Sequence, residues 1–459
     1  MLNRKILNHK TYKNLRKHNT FTYQTIKSIS NLTISSYLTN IASNKAFSKN
    51  KYTDIATNVL KIHMSQYLDT AEVEVAIKEF FKFPAIQVAD HIGLFYDFTN
   101  FINNFLWNIA LEKNNIEYIF TCQCETIRTA QDVQNFLGPA FIELNENVYN
   151  IFGLSKNKLK NTNVAALNNC KFIFEIIREK NKIDFPDILK KIINLSKKFD
   201  YAPDMFRMAN LLFWDNIKYK NKRKLICFDR RFFCDIVAEN IHKKTPLIEA
   251  LLFNKKRRNS FLKIKNKIIN ARQNLVLKNT TDFFYLRKGE ELLPLKISDD
   301  GVFYNGRSGE IIIIGGKKLK TDRKMLACAL KDRILYPDLI LSNILGHILP
   351  NIIAVGGTSQ LEYLPNIVKM LDEFLTKNNL KKELLLKNNK KLNVSAYGRL
   401  IGPSLIKFTK TDKKFIDNLN SESNLEEFKQ SFCNKKIGNT LNIDFWNYFN
   451  FFYKRINKT

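Results

Sequence analysis

The alternation of apolar and polar positions along the chain contains three runs of one design. Each is an apolar stretch that closes on glycine or small polar residues and then enters a helix-like pattern. They are Phe83-Pro-Ala-Ile-Gln-Val-Ala-Asp90-His91-Ile-Gly93-Leu-Phe, Lys224-Leu-Ile-Cys-Phe-Asp229-Arg230-Arg231, and Leu349-Pro350-Asn351-Ile-Ile-Ala-Val355-Gly356-Gly357-Thr358-Ser359-Gln360-Leu-Glu362-Tyr363. Near-continuous apolar runs suit parallel strands buried on both faces, and ligands of open α/β sheets lie beyond the carboxyl ends of such strands. The ends of these runs are therefore where a site is expected.

Five segments follow from the pattern. Residues 1–53 carry no acidic residue and are rich in Lys, Asn, Ser and Thr, which fits either an organellar transit peptide or the first structural elements of the fold. Residues 54–254 alternate helix-like and strand-like stretches, the pattern of α/β units, and form the first part of a core. Residues 255–316 hold a basic, glycine-free helix from Lys255 to about Asn279 and then a small β element, in which Asp282–Arg287 and Glu291–Ile297 form a hairpin across Lys288-Gly289-Glu290. Residues 317–410 return to the α/β pattern as the second part of the core, and 411–459 read as a helical C-terminal segment.

Charge and cysteine content change this picture little. The 459 residues carry a formal charge of +31, which by itself would point to nucleic acid or an anionic surface. The excess, however, is lysine scattered among Asn and Ile along the whole chain, the mixture an AT-rich genome produces, so a nucleic-acid partner is not expected. The densest cluster, Lys255-Lys256-Arg257-Arg258 with Lys263, Lys265, Lys267 and Arg272, reads as a solvated connecting helix, with phosphate binding as its alternative. Seven cysteines point to a reducing, cytoplasmic compartment rather than a disulfide framework. Cys122-Gln-Cys124 lacks a second ligand pair at metal spacing, so no metal is expected. No apolar run reaches the length of a membrane span, and a membrane partner is not expected either.

Several residues carry candidate chemistry. Asp90 and His91 follow a strand and precede Gly93; a His beside a carboxylate can act as a general base, and the same pair can equally cap a helix or pack on a neighbouring strand. Gly356, Gly357, Thr358 and Ser359 open a helix after a buried strand, where free backbone N–H groups can meet a phosphate or carboxylate, although a plain strand-to-helix turn uses the same residues. Asp229 and Arg230 suit a ribose hydroxyl and a phosphate, or a salt bridge. Arg399 lies in an expected loop, Tyr397 to Pro403, and suits bidentate carboxylate binding. His347 reads as a core histidine.

The order of these elements resembles the bacillithiol-synthesis cysteine ligase (BshC-type) family over roughly residues 80 to 415. The strongest stretch is the Leu349-Pro350, Gly356-Gly357 and Tyr363 block, supported by Gly93-Leu94-Phe95, Leu225–Asp229 and Phe283–Glu290. The resemblance implies a Rossmann-like nucleotidyltransferase core, of the class I synthetase type, with a small β insertion and a helical C-terminal segment. It implies a ligase that joins cysteine to the amine of an amino-sugar conjugate, with amine and amino-acid substrates, a nucleotide (ATP or ADP) at the glycine turns and, compatibly, a homodimer. It places Gln360 and Tyr363 among the substrate contacts. The departures fall on the chemistry: Ala89-Asp90-His91 replaces a glycine and two glutamines, Cys122–Thr126 replaces an acidic run containing histidine, and Gln360 replaces a glutamate. Those changes leave open a catalytically altered relative that serves as a ligand-binding or assembly subunit, and behind it a basic nucleic-acid-associated protein.

Overall fold

The computed structural model describes residues 20–43, 49–144, 146–182, 185–272, 277, 280–357, 359–381, 398–402, 406–409 and 422–441. It is a mixed α/β structure built on five parallel strands: β1 (Ala85–Gln87), β2 (Tyr118–Gln123), β3 (Lys224–Asp229), β4 (Ile353–Gly356) and β5 (Gly398–Leu400). They lie side by side in the order β3-β2-β1-β4-β5. All three apolar runs thus become strands, as expected. Each is buried because both faces are covered. Ile86, Phe120, Cys122, Ile226 and Phe228 pack on one side among the helices Lys51–Met64, Thr70–Lys82 and Arg231–His242. The alternate positions Ala85, Ile119, Leu225, Cys227, Ile353 and Val355 pack on the other side with the helices Ile34–Ile41 and Phe98–Glu112. The two-residue period of a strand produces this division.

Two antiparallel insertions depart from the parallel core. Between β2 and β3, the strands Phe141–Leu144, Asn147–Asn150 and Glu175–Arg178 form a three-stranded sheet around its own cluster of Phe152, Phe172 and Phe206. The sequence pattern did not separate this insertion from the α/β units around it. Between β3 and β4, the expected hairpin is present: Phe284–Lys288 pairs with Glu291–Ile297, and Gly289, at φ +60°, makes the left-handed turn. Phe303–Asn305 and Leu335–Pro337 extend it to four strands.

The basic helix forms over Lys255–Arg272 but is not a solvated connector. Phe261, Ile264, Ile268 and Ile269 are buried in the main core, and so are two of its cations, Arg258 at 2 % exposure and Lys265 at 1 %. Arg258 donates to the carbonyls of Leu252 and Asp299, while Lys265 bonds the Thr281 carbonyl and faces Asp282. Burial of a cation requires such partners, so these charges are committed within the fold. At the N-terminus, Thr20–Ile29 and Ile34–Ile41 are helices, with Ile26, Ile34, Leu38 and Ile41 in the core, as the structural-element reading of this segment expects. At the other end Glu422–Cys433 and Ile437–Thr440 are helical, as expected. No helix among the described residues is long and apolar enough to cross a membrane.

Candidate functional site

From β1 the chain runs to β2 on one side, whereas β4, reached later, lies on the other. The loops leaving β1 and β4 therefore diverge and open a crevice at the carboxyl end of the sheet. A cavity of about 410 Å³ sits at this switch point. Residues 89–94 after β1, Gly357 after β4 and Ile401 after β5 line it from the sheet. Asp97, Thr99, Asn100 and Asn103 line it from the start of the helix Phe98–Glu112, and Gln131, residues 136–139, Phe141, Ile142 and Ile151 from the three-stranded insertion.

Asp90 is 2 % exposed, and its carboxylate accepts from Gln87 Nε2 (2.7 Å), Asn104 Nδ2 (2.7 Å) and Asn103 Nδ2 (2.5 Å). Among the described residues no cation faces it. Burial outweighs the three amide bonds, and with a smaller push from the charge of Asp97 it carries the Asp90 pKa up to about 7. Asn100, Asn103 and Asn104 share one face of their helix by their i, i+3, i+4 spacing, which is why two of them reach the same carboxylate.

His91 faces the other way. Backbone bonds from Ile92 N to Cys124 O and from Cys124 N to Asp90 O, both 3.1 Å, keep residues 90–92 extended beside the end of β2. Successive side chains of an extended segment point to opposite sides. The expected orientation of His91 by Asp90 is therefore not found: Gln131 holds the ring instead, with its amide 3.0 Å from Nδ1. His91 is exposed to the cavity, yet surrounding protein displaces enough water to hold its pKa below the ordinary 6.5, so the ring is neutral at neutral pH. Gly93 is fixed by its carbonyl, which accepts from Asn210 Nδ2 at 2.8 Å and Gln123 Nε2 at 3.4 Å. A Cβ at Gly93 would overlap the Asn100 side chain.

Among the described residues, Gly357 is the one other expected residue that lines the cavity. Asp229 is not free for a ribose. Burial would raise its pKa, but the Arg231 guanidinium and backbone N–H of Arg231 bind it and hold it well below the usual carboxylate range. Arg230 is not free for a phosphate, since its Nη2 donates to Ser342 Oγ at 2.7 Å and Nη1 to Cys124 Sγ at 3.7 Å. Its backbone N–H donates to Glu125, a buried carboxyl whose pKa rises through burial and the charge of Asp229. Gly356 is the last residue of β4, and a Cβ there would overlap the side-chain amide of Gln360, itself buried. The space beside that glycine is therefore filled from within rather than offered to an anion. Tyr363, half-buried, follows on the same helix, Gln360–Lys377, whose N-cap Ser359 makes no side-chain capping bond. Arg399 belongs to β5, paired with Val355, and not to a loop. Thr358 lies outside the described residues. His347 is a core histidine beside Phe233, with burial pushing its pKa down to about 4.

Sequence reasoning missed Asp97, Asn103, Gln131 and the wall from Phe136 to Phe141. The asparagines at helical spacing within an otherwise apolar stretch, and the Gly138-Pro139 break, were the signals available for them. No known protein family matches the chain, and no curated protein does either.

Proposed function

We propose that the chain is an amide-forming ligase of the BshC type on a Rossmann-like nucleotidyltransferase core, joining an amino acid to the amine of a small molecule in the switch-point cavity. The observation that carries this reading is a neutral imidazole, His91, presented to a cavity at the one place in a parallel sheet where the topology opens a ligand crevice. Amide formation makes a C–N bond between the acyl carbon and the amine nitrogen. The acyl group arrives with a leaving group that takes the electron pair, and the nitrogen must shed a proton. His91 accepts that proton at Nε2. This requires Nδ1–H to donate to the carbonyl oxygen of Gln131, an arrangement reached by turning the Gln131 amide over. Free cysteine carries no such leaving group, so in this reading ATP supplies it, by transferring a phosphoryl or adenylyl group to the carboxylate so that phosphate or AMP departs with the electron pair; no described lining residue of the cavity is lysine or arginine and Asp97 caps the helix beside it, so the described lining gives that nucleotide no cationic side chain.

The test is product formation. The purified chain is incubated with cysteine and, in separate reactions, a glucosamine malate conjugate or 2-phenylethylamine, with and without ATP, and the amide is sought by mass spectrometry. His91→Gln should lower the rate by about 10²-fold, the usual worth of acid–base assistance. Failure of the folded parent to form any amide under these conditions removes the reading.

A further inference from the structure

We propose that the switch-point cavity binds the primary ammonium group of a substrate whose remaining body is apolar. Asp90, Asp97 and Asn103 form the end that receives the charge, and the insertion wall from Phe136 to Phe141 receives the body. This names the amine for the cavity of the ligase reading, an ammonium on an apolar body in place of the polar amino-sugar conjugate that the resemblance implies, and rests on that reading for the choice of site.

Charge is the first argument. In a chain of net charge +31, the titratable side chains among the described lining residues are two aspartates, Asp90 and Asp97, and the neutral His91; Asp90, with its pKa carried to about 7, is ionised at pH 8. The carboxylates are incompletely used. Among the described residues Asp90 Oδ1 accepts a single hydrogen bond, from Asn103, although a carboxylate oxygen can accept two. Asp97 uses Oδ1 for Thr99, and its Oδ2 has no hydrogen bond among the described residues. The field of Asp97 disfavours the charge of Asp90, so the two are close enough to repel and a cation near both relieves the repulsion.

A second observation is independent of the carboxylates. Asn103 is 7 % exposed and borders the cavity, yet its Oδ1 has no partner among the described residues. A buried acceptor without a donor is costly; this Oδ1 lies enclosed against Gly402, and an ammonium, with three donors and no acceptor, supplies what it lacks when the Asn103 amide turns toward the cavity.

The opposite end is apolar and strained. Leu137 is 55 % exposed although it lines the cavity, so a bound apolar group would cover it. Phe136, next to it, holds a left-handed backbone at φ +53°, and Gly138 stands at φ +126° where a Cβ would strike the backbone of residues 129–131. Left-handed backbone at a bulky aromatic residue persists only where the surroundings enforce it, and here it shapes the wall.

The experiment is isothermal titration calorimetry of the full chain at pH 8 and low salt, with 2-phenylethylamine, L-phenylalanine, 3-phenylpropionate and ATP as probes. The amine should bind, and 3-phenylpropionate and ATP should bind at least 10-fold more weakly. Asp97→Asn keeps a good helix cap and removes one charge, so amine affinity should fall by about 10-fold while the fold is retained. Leu137→Ser should weaken the amine through the apolar end. If L-phenylalanine matches the amine, the ammonium belongs to an amino acid; if it binds far more weakly, it belongs to a simple amine; both support the inference. Binding of the anions without the amine, no binding of any probe, or an unchanged amine affinity in folded Asp97→Asn overturns it. Amine binding without amide synthesis keeps this inference and removes the ligase reading, whereas amide synthesis by a chain with no amine affinity in these titrations does the reverse.

Discussion

Replacing Asp90 by Asn gives a stability difference whose pH dependence follows from the burial of one carboxyl. Asp90 is 2 % exposed, faces three amide donors and, among the described residues, no cation, and has its pKa carried by burial from 3.8 to about 7. An acid whose folded pKa lies above its unfolded value holds its proton more tightly in the folded state. Its stabilising contribution is therefore complete below about pH 4, falls by about 1.4 kcal/mol per pH unit as pH rises, and is lost above about pH 7. Over that window the loss comes to about 4 kcal/mol. The asparagine does not titrate, but it turns an NH₂ toward the amide donors, a pH-independent cost of about 1–3 kcal/mol. Urea unfolding of parent and variant at pH 5, 6, 7 and 8 should thus show the variant gaining about 3 kcal/mol on the parent between pH 5 and pH 8, with the curve flattening above 7. A difference that stays constant across this range would refute the reasoning, since it would mean that Asp90 does not titrate there.

Three further outcomes are expected. Gly402 and Gly289 both have left-handed φ, +86° and +60°, but a Cβ at 402 would overlap Asn103 Oδ1 while nothing lies near 289; urea unfolding should show Gly289→Ala costing about 1 kcal/mol and Gly402→Ala about 1–3 kcal/mol more, and equal losses would mean that Asn103 yields freely. Arg231→Met strands the buried Asp229 charge and should cost about 3–5 kcal/mol at pH 7, partly recovered by adding Asp229→Asn; no recovery in the double variant would show that packing and not charge is at stake. In His91→Gln the amine affinity measured by calorimetry should stay within about twofold of the parent while amide synthesis falls about 10²-fold, and loss of affinity instead would make His91 a binding group.

The strands were readable because burial on both faces writes itself into continuous apolar runs, and β3 and β4 end at Asp229 and Gly356, while β1 ends at Gln87, three residues before Asp90. The switch point was not readable. It depends on β4 pairing with β1 across more than 260 residues, Ala85 with Ile353, and nothing local in either run specifies its neighbour. For the same reason the place of Asp229 was not readable: of its two expected roles, a ribose contact or a salt bridge, it takes the second, lying across β2 from β1 and bound by Arg231. The insertion wall escaped because Phe136, Leu137 and Phe141 look like ordinary core residues until the fold leaves Leu137 uncovered.

Asp90 and His91 show how little a dipeptide determines. Their adjacency in sequence suggested a proton relay, yet adjacency in an extended segment guarantees opposite directions. The partner of His91 came from 40 residues away, Gln131, and those of Asp90 from a helix. That division has a chemical consequence. A carboxylate bonded to an imidazole would raise its basicity, while burial lowers that of His91 and the uncharged Gln131 does not oppose it. The Asp90 charge is thereby kept for whatever cation enters the cavity. An amine held by Asp90 and Asp97 is protonated and cannot attack; it becomes a nucleophile only after losing a proton, and His91, on the same cavity, is the neutral acceptor within this lining. Charge recognition and proton removal are thus carried by different residues, and substitutions at Asp97 and His91 should separate binding from turnover.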